Sequence, residues 1–176
     1  MNRIRLPALI AGIVISNASL GAGVGPWSFG MTRDEVRAQV EFGPYYSFKN
    51  NDIGTQSGLL DGKQTPTSFY FASDKLKRVM FITYQGTDFP GVKAGWEVCL
   101  AHLQKNFHEI EVPNLRAGPT SAEEARAFLE KSGLREDPKV RVQMGPLRMP
   151  EDKRVWCSAY RVGPEAIMVS LNYAEP

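Results

Sequence analysis

Hydrophobic and polar residues alternate along most of this chain with two different periods, and the change of period divides it into elements. Thr67–Ala72 and Leu76–Tyr84 alternate with period two around Ser73-Asp74-Lys75, which predicts a β-hairpin. Tyr45–Lys49 and a weaker stretch from Thr55 to Leu60 read as strands separated by the turn residues Asn50 to Gly54. In the second hairpin strand Val79 and Phe81 share one face and Met80 and Ile82 the other, so this strand is expected to be central and covered on both sides. Towards the end of the chain, Val140–Met144, Arg154–Val162 and Ala166–Tyr173 alternate again, the last two joined across Gly163-Pro164. Val155, Cys157 and Ala159 fall on one face of their strand and Trp156, Tyr160 and Val162 on the other. Ile167, Val169, Leu171 and Tyr173 share a face of the last strand.

Between these strands the period lengthens. Val92, Trp96, Cys99, Leu100, Leu103 and Phe107 recur every three or four residues, making one apolar stripe on a helix from about Pro90 or Gly91 to Asn106. Thr32 with Glu35, and Thr120 or Ser121 with Glu123 or Glu124, are capping boxes. The first predicts a short helix over Arg33–Val40, ended by Gly43-Pro44. The second predicts a helix turning Ala125, Phe128 and Leu129 inward and stopping at Gly133. A short strand is expected at Ile110–Val112. The pattern is that of an α+β fold: an antiparallel sheet with helices packed on one face. It can also be read as two helix-plus-strands halves meeting near 113–120, within a single α+β domain spanning 24–176.

The first 23 residues follow neither period. Arg3 and Arg5 precede the uncharged run Leu6–Ile15, and small residues from Ser16 to Gly23 follow, the layout of a cleaved secretory signal peptide. The run is about half the roughly 20 residues needed to span a bilayer. Position 23 is Gly where a lipoprotein would carry its lipidated cysteine, so no membrane anchor is expected after cleavage, and the mature chain is expected in the periplasm or secreted. Export changes the charge reading. Residues 1–21 hold two of the 21 basic residues and none of the 19 acidic ones, so the mature chain carries no formal net charge. Such a chain gives no electrostatic reason to bind nucleic acid. Export also makes a disulfide the leading reading of Cys99 and Cys157, beside the alternative of two buried thiols.

Candidate chemistry is sparse. His102 and His108 have no acidic or cysteine neighbour at metal-ligand spacing, and each reads as a solvated or hydrogen-bonded side chain. The carboxylate pairs Asp34-Glu35 and Glu123-Glu124 serve helix starts, and Glu151-Asp152 lies in a loop. No nucleophile elbow, zinc-protease motif or phosphate-cradling loop occurs. No cofactor, metal or catalytic residue is expected. What remains is surface. Tyr45, Tyr46 and Phe48 beside the polar turn Asn50, Asn51 and Asp52 are candidate partner-binding residues, as is Arg148 in the Gln143–Pro150 connection.

Trp27 to Val36 (WSFGMTRDEV) with Phe42-Gly43-Pro44, and Phe69 to Leu76 (FYFASDKL), resemble the opening and the hairpin of small exported bacterial proteins of the BamE/SmpA type. Those proteins share the fold of the β-lactamase inhibitory proteins. The resemblance implies helices on an antiparallel sheet and action by protein–protein contact rather than catalysis. The matching stretches cover about a quarter of the chain. The expected function is therefore that of a non-enzymatic exported protein binding another envelope or secreted protein, with inhibitor or immunity-type action as a special case. A small-ligand or cell-wall-binding module is the alternative, and a hydrolase a more distant one.

Overall fold

The computed structural model describes residues 23–176, so the signal-peptide reading of residues 1–23 lies outside the described residues except for Gly23 itself. Two residue pairs, β1 (Gly23–Val24) and β2 (Trp27–Ser28), form a small ribbon that leads into α1 (Arg33–Arg37). Thr32 caps α1 through the Glu35 amide while the Glu35 carboxylate accepts from the Thr32 amide. The helix is shorter than its capping box suggests. Val40, counted with it in the sequence, lies instead in a one-turn 3-10 segment (Val40–Phe42) and points into solvent. Phe42 turns back to meet Trp27, with ring centroids 5.0 Å apart.

The remaining strands are β3 (Tyr45–Ser47), β4 (Ile53–Leu60), β5 (Lys63–Ala72), β6 (Lys75–Gly86), β7 (Ile110–Glu111), β8 (Arg141–Pro146), β9 (Arg154–Val162) and β10 (Ala166–Ala174). They form one antiparallel sheet in the order β3-β4-β5-β6-β10-β9-β8-β7. The long helix α2 (Phe89–Phe107) lies on one face, with α3 (Ala122–Lys131) beside it, held by the Lys93–Glu130 and Arg126–Glu97 ion pairs. This is the α+β class with helices on one face of an antiparallel sheet. The two halves of the chain contribute four adjacent strands each and meet where Leu171 lies opposite Phe81. They share one continuous hydrophobic core.

The core is the layer between sheet and helices. The stripe of α2 (Val92, Trp96, Cys99, Leu100, Leu103) packs against Phe69, Val79, Phe81, Val169, Leu171 and their neighbours. Gly91 and Gly95 allow α2 to sit close to β6, because a Cβ at either position would stand within 2.6 Å of Tyr84. Cys99 on α2 and Cys157 on β9 form a disulfide pair across the layer, with Cα atoms 6.0 Å apart. The hairpin expected at 67–84 is present, and Thr67 pairs with Phe81. The first strand of the β4–β5 hairpin begins two residues earlier than expected, at the buried Ile53.

Candidate functional site

The second face of the sheet carries no helix or strand layer among the described residues. The expectation that a second layer covers β6 on both sides is therefore corrected: Met80 and Ile82 lie on the helix-free face, where Met80 is nonetheless buried and Ile82 half-buried. Cross-strand register places its side chains in rows. One row runs Tyr46, Gly54, Ser68, Met80, Asn172, Trp156 across six strands. Beside it run Tyr70, Arg78, Ala174, Arg154 and, on the other flank, Ile82, Ser170, Ser158, Gln143. A fourth row contains Gln85, Met168, Tyr160 and Arg141.

These rows explain how small polar residues survive at the centre of the sheet. Ser68, Ser158, Ser170 and Asn172 are buried beneath larger neighbours, and Asn172 donates to the Ser170 carbonyl and hydroxyl at 3.2 and 3.1 Å. The hydroxyls of Ser158 and Ser170 are 3.4 Å apart. Above them stand flat and charged groups. The Arg78 guanidinium lies 3.7 Å from the Tyr70 ring centroid and that of Arg141 4.3 Å from Tyr160. Burial pushes the Tyr70 hydroxyl above its ordinary range despite the opposing charge of Arg78. Arg78, Arg141 and Arg154 make no ion pair among the described residues. The face thus presents aromatic rings together with three guanidinium groups that stand outside any ion pair among the described residues.

The residues singled out in the sequence divide. Tyr46 and Phe48 lie at one margin of this face, 39% and 40% exposed, their rings edge-to-face at 5.3 Å. Tyr46 lies directly over Gly54, where a Cβ would come within 2.7 Å of its ring. Tyr45 points the other way. It packs on Phe69, donates its hydroxyl to the Gln39 carbonyl, and burial raises its pKa. Asp52 is buried at 6% exposure, with one carboxylate oxygen accepting from the Phe71 amide and the other from Asn50. Asn51 takes a positive φ of 65° and its carbonyl accepts from Arg33, which also pairs with Asp74. The Asn50–Asp52 turn therefore fastens α1 to two strand ends. Arg148 is exposed in the β8–β9 connection, beyond the opposite side of the sheet and about 30 Å from Tyr46 at ~4.8 Å per strand. The structure does not bring it together with the others.

Tyr70, Arg78, Arg141, Trp156 and Tyr160 are the site residues that the sequence reading did not select. Their signal was present in Ser170 and Asn172, two polar residues on one face of an otherwise apolar strand.

Two further features lie elsewhere. His102, on the core side of α2, is buried between Asp61 and Tyr173. Nδ1 lies 2.7 Å from the Asp61 carboxylate, and Nε2 is hydrogen-bonded with the Tyr173 hydroxyl. Lys105 reaches the other Asp61 oxygen at 3.0 Å. Burial pushes the Asp61 carboxyl up, but hydrogen bonds and charge from His102 and Lys105 outweigh it and hold it below the usual range. Burial, with the Asp61 charge, pushes the Tyr173 hydroxyl well up. The second feature is a mainly apolar cleft of about 580 Å³ between the β4–β5 hairpin tip, β6 and α2. Among the described residues no three His, Cys, Asp or Glu side chains gather as a metal site, and no helix is long and apolar enough to cross a membrane. No family model, curated protein or solved structure matches the chain.

Proposed function

We propose that this is a non-enzymatic exported protein that works by binding another protein, using the helix-free face of its sheet. One observation carries the reading: a broad face in which a hydrogen-bonded Ser/Asn floor supports Tyr46, Phe48, Tyr70, Trp156 and Tyr160 together with unpaired Arg78 and Arg141. Aromatic and arginine side chains are the residue types that dominate protein–protein hot spots. The rows extend about 30 Å across the strands and about 20 Å along them, the scale of one partner's share of a standard interface, about 800 Å². The free guanidinium groups favour a partner with an acidic surface. The disulfide pair supports an oxidising compartment, and with the leader reading it supports the periplasm or the exterior. The BamE/SmpA-type motifs point the same way, to contact rather than catalysis, and inhibition of a toxin or hydrolase is one form such contact takes.

The test is capture from periplasmic extract by three proteins: wild type, a Tyr70→Ala/Trp156→Ala variant, and a Gln104→Ala/Lys131→Ala variant altered on the helix side. A stoichiometric protein partner is expected with the first and third and is expected to be lost, by tenfold or more in affinity, with the second. Retention by the Tyr70→Ala/Trp156→Ala variant would move the interface elsewhere. Thermal stabilisation by a cell-wall glycan with no protein bound would replace this reading with the ligand-binding one.

A further inference from the structure

β5 and β6 are neighbours in the sheet, yet they pair over only part of their lengths. Their register runs from Ala72↔Lys75 to Thr67↔Phe81 and stops. Both strands continue past that point, β5 back to Lys63 and β6 on to Gly86. Beyond Phe81, β6 is paired on one side only, with Ile82, Tyr84, Gln85 and Gly86 opposite Ser170, Val169, Met168 and Ile167 of β10. Beyond Thr67, β5 is paired only with β4. The 580 Å³ cleft fills the separation, with Thr65 and Pro66 on one wall, Ile82 and Thr83 on the other, and Val98 and Ala101 of α2 at its base.

The separation is specified by particular residues. Pro66 stands where pairing with β6 ends, and it has no N–H to donate to a ladder. The Thr65 and Thr67 hydroxyls donate to the Lys63 and Thr65 carbonyls, so β5 satisfies two acceptors within its own chain. β4 carries an irregularity between Thr55 and Gly58, and Gly58 lies so close to Thr67 that a Cβ would meet its hydroxyl at 2.0 Å. β6 and β10 slip register between Val169 and Ser170, and the Thr83 hydroxyl is drawn across to the Val169 carbonyl. Asp61, in the turn of the β4–β5 hairpin, is tied to His102 and Lys105, which holds the tip on α2 and away from β6.

A strand edge with no neighbour presents unused N–H and C=O groups at every second residue. We infer that the unpaired edge of β6 at Ile82–Gly86 receives a short extended segment of a partner protein, added as a strand inside the open seam. Recognition here is by main-chain hydrogen bonds, with alternate side chains entering the apolar cleft. Five residues of β6 span about 17 Å at ~3.4 Å each. The cleft also fixes the character of the segment. Its two carboxylates are already engaged, Asp61 by His102 and Lys105 and Glu97 by Arg126, whereas Lys63 in the same lining makes no ion pair among the described residues, and Val98 stands 43% exposed at the base. A segment with β-branched or aliphatic residues at alternate positions and no basic residue to repel Lys63 matches that lining. Ile82 lies both on the helix-free face and on the cleft wall, so the seam opens onto the face assigned above to protein binding. The inference does not depend on that assignment, since its recognition chemistry is that of the β6 backbone.

The experiment is selection of displayed eight-residue peptides against the folded protein, followed by measurement with the synthetic peptides selected. Amide chemical-shift changes are expected at Ile82–Gly86 and Lys63–Thr65. N-methylation of one alternate set of peptide nitrogens is expected to weaken binding at least tenfold, and of the other set less than threefold. Val98→Arg is expected to abolish binding with an unchanged melting temperature, while Trp156→Ala/Tyr160→Ala leaves it within twofold, which separates the seam from the helix-free face. The inference is overturned if selection yields no peptide, if shifts fall on another surface, or if both N-methylated sets bind alike.

Discussion

The two faces of the one sheet use alternation in opposite ways. On the helix side, Phe69, Val79, Phe81, Val169, Leu171 and Cys157 are sealed under α2, and their identity is set by the space they fill. On the other side, Ser68, Ser158, Ser170 and Asn172 are as deeply buried, yet what buries them is their own neighbours, Tyr70, Arg78, Trp156 and Tyr160. Burial on the first face removes apolar area from water and stabilises the fold. Burial on the second leaves polar groups that must bond to one another and holds large side chains upright above them. Equal burial therefore does not mean equal contribution to stability.

The sharpest way to break this comparison is a pair of truncations. Phe81→Ala opens a cavity beneath α2, next to Trp27 and Tyr173, and is expected to cost about 3–5 kcal/mol. Trp156→Ala removes a larger ring from the helix-free face and is expected to cost about 1 kcal/mol or less in urea unfolding. Similar losses for both would mean that the two faces are alike. Next in size is the cross-layer staple. Cys99→Ala/Cys157→Ala removes a link between residues 58 apart in sequence and is expected to cost about 2–4 kcal/mol, the typical effect of losing such a cross-link. Intact mass measured without reductant should fall about 2 Da below the free-thiol mass if the bond is formed, and alkylation should then label neither cysteine. A smaller effect concerns the edge where the faces meet the hairpin tip. The folded Asp61 carboxyl titrates below its ordinary value, so the stability it contributes is present above the unfolded value of about 3.9 and is lost as the pH falls through the lower folded value. Asp61→Asn is expected to be less stable than wild type by about 1–2 kcal/mol at pH 7. The gap should begin to narrow below about pH 4 and close once the pH has fallen past the lower folded value. A gap of constant size would show that the carboxylate's charge has no part in it.

Much of the covered face could be read from the chain because both of its periods come from that layer. The stripe of α2 and the inward positions of β9 and β10 follow from residue type alone, and so does the placement of Cys99 and Cys157 on facing elements. The helix-free face was harder. Alternation separates the two sides of a strand without saying which side has a partner layer, and Met80 and Ile82 look as apolar as Val79 and Phe81. Ser170 and Asn172 held the missing information, since two polar residues on one side of a strand are best accommodated where no second layer packs. Polarity told only part of the story at the first turn. Asn50 and Asn51 are exposed, as their polarity suggests, while Asp52 is buried and the hydrogen bonds of the turn fasten the β3–β4 connection. The seam was partly legible in Pro66, just after which the expected hairpin began. The unpaired continuation of β6 depends on long-range register, which no local pattern carries.

The strand order has a consequence in time. β10, which follows every other strand of this sheet in chain order, is the one that lies between β6 and β9. Until it arrives, the first four strands have no contact with the second group through the sheet, and the inner edge of β6 stays unpaired. The partners Phe81 and Leu171 are 90 residues apart, roughly 5–18 s of synthesis at ~5–20 residues per second. Throughout that interval the chain cannot complete its core, and the apolar faces of both groups of strands stay open to water.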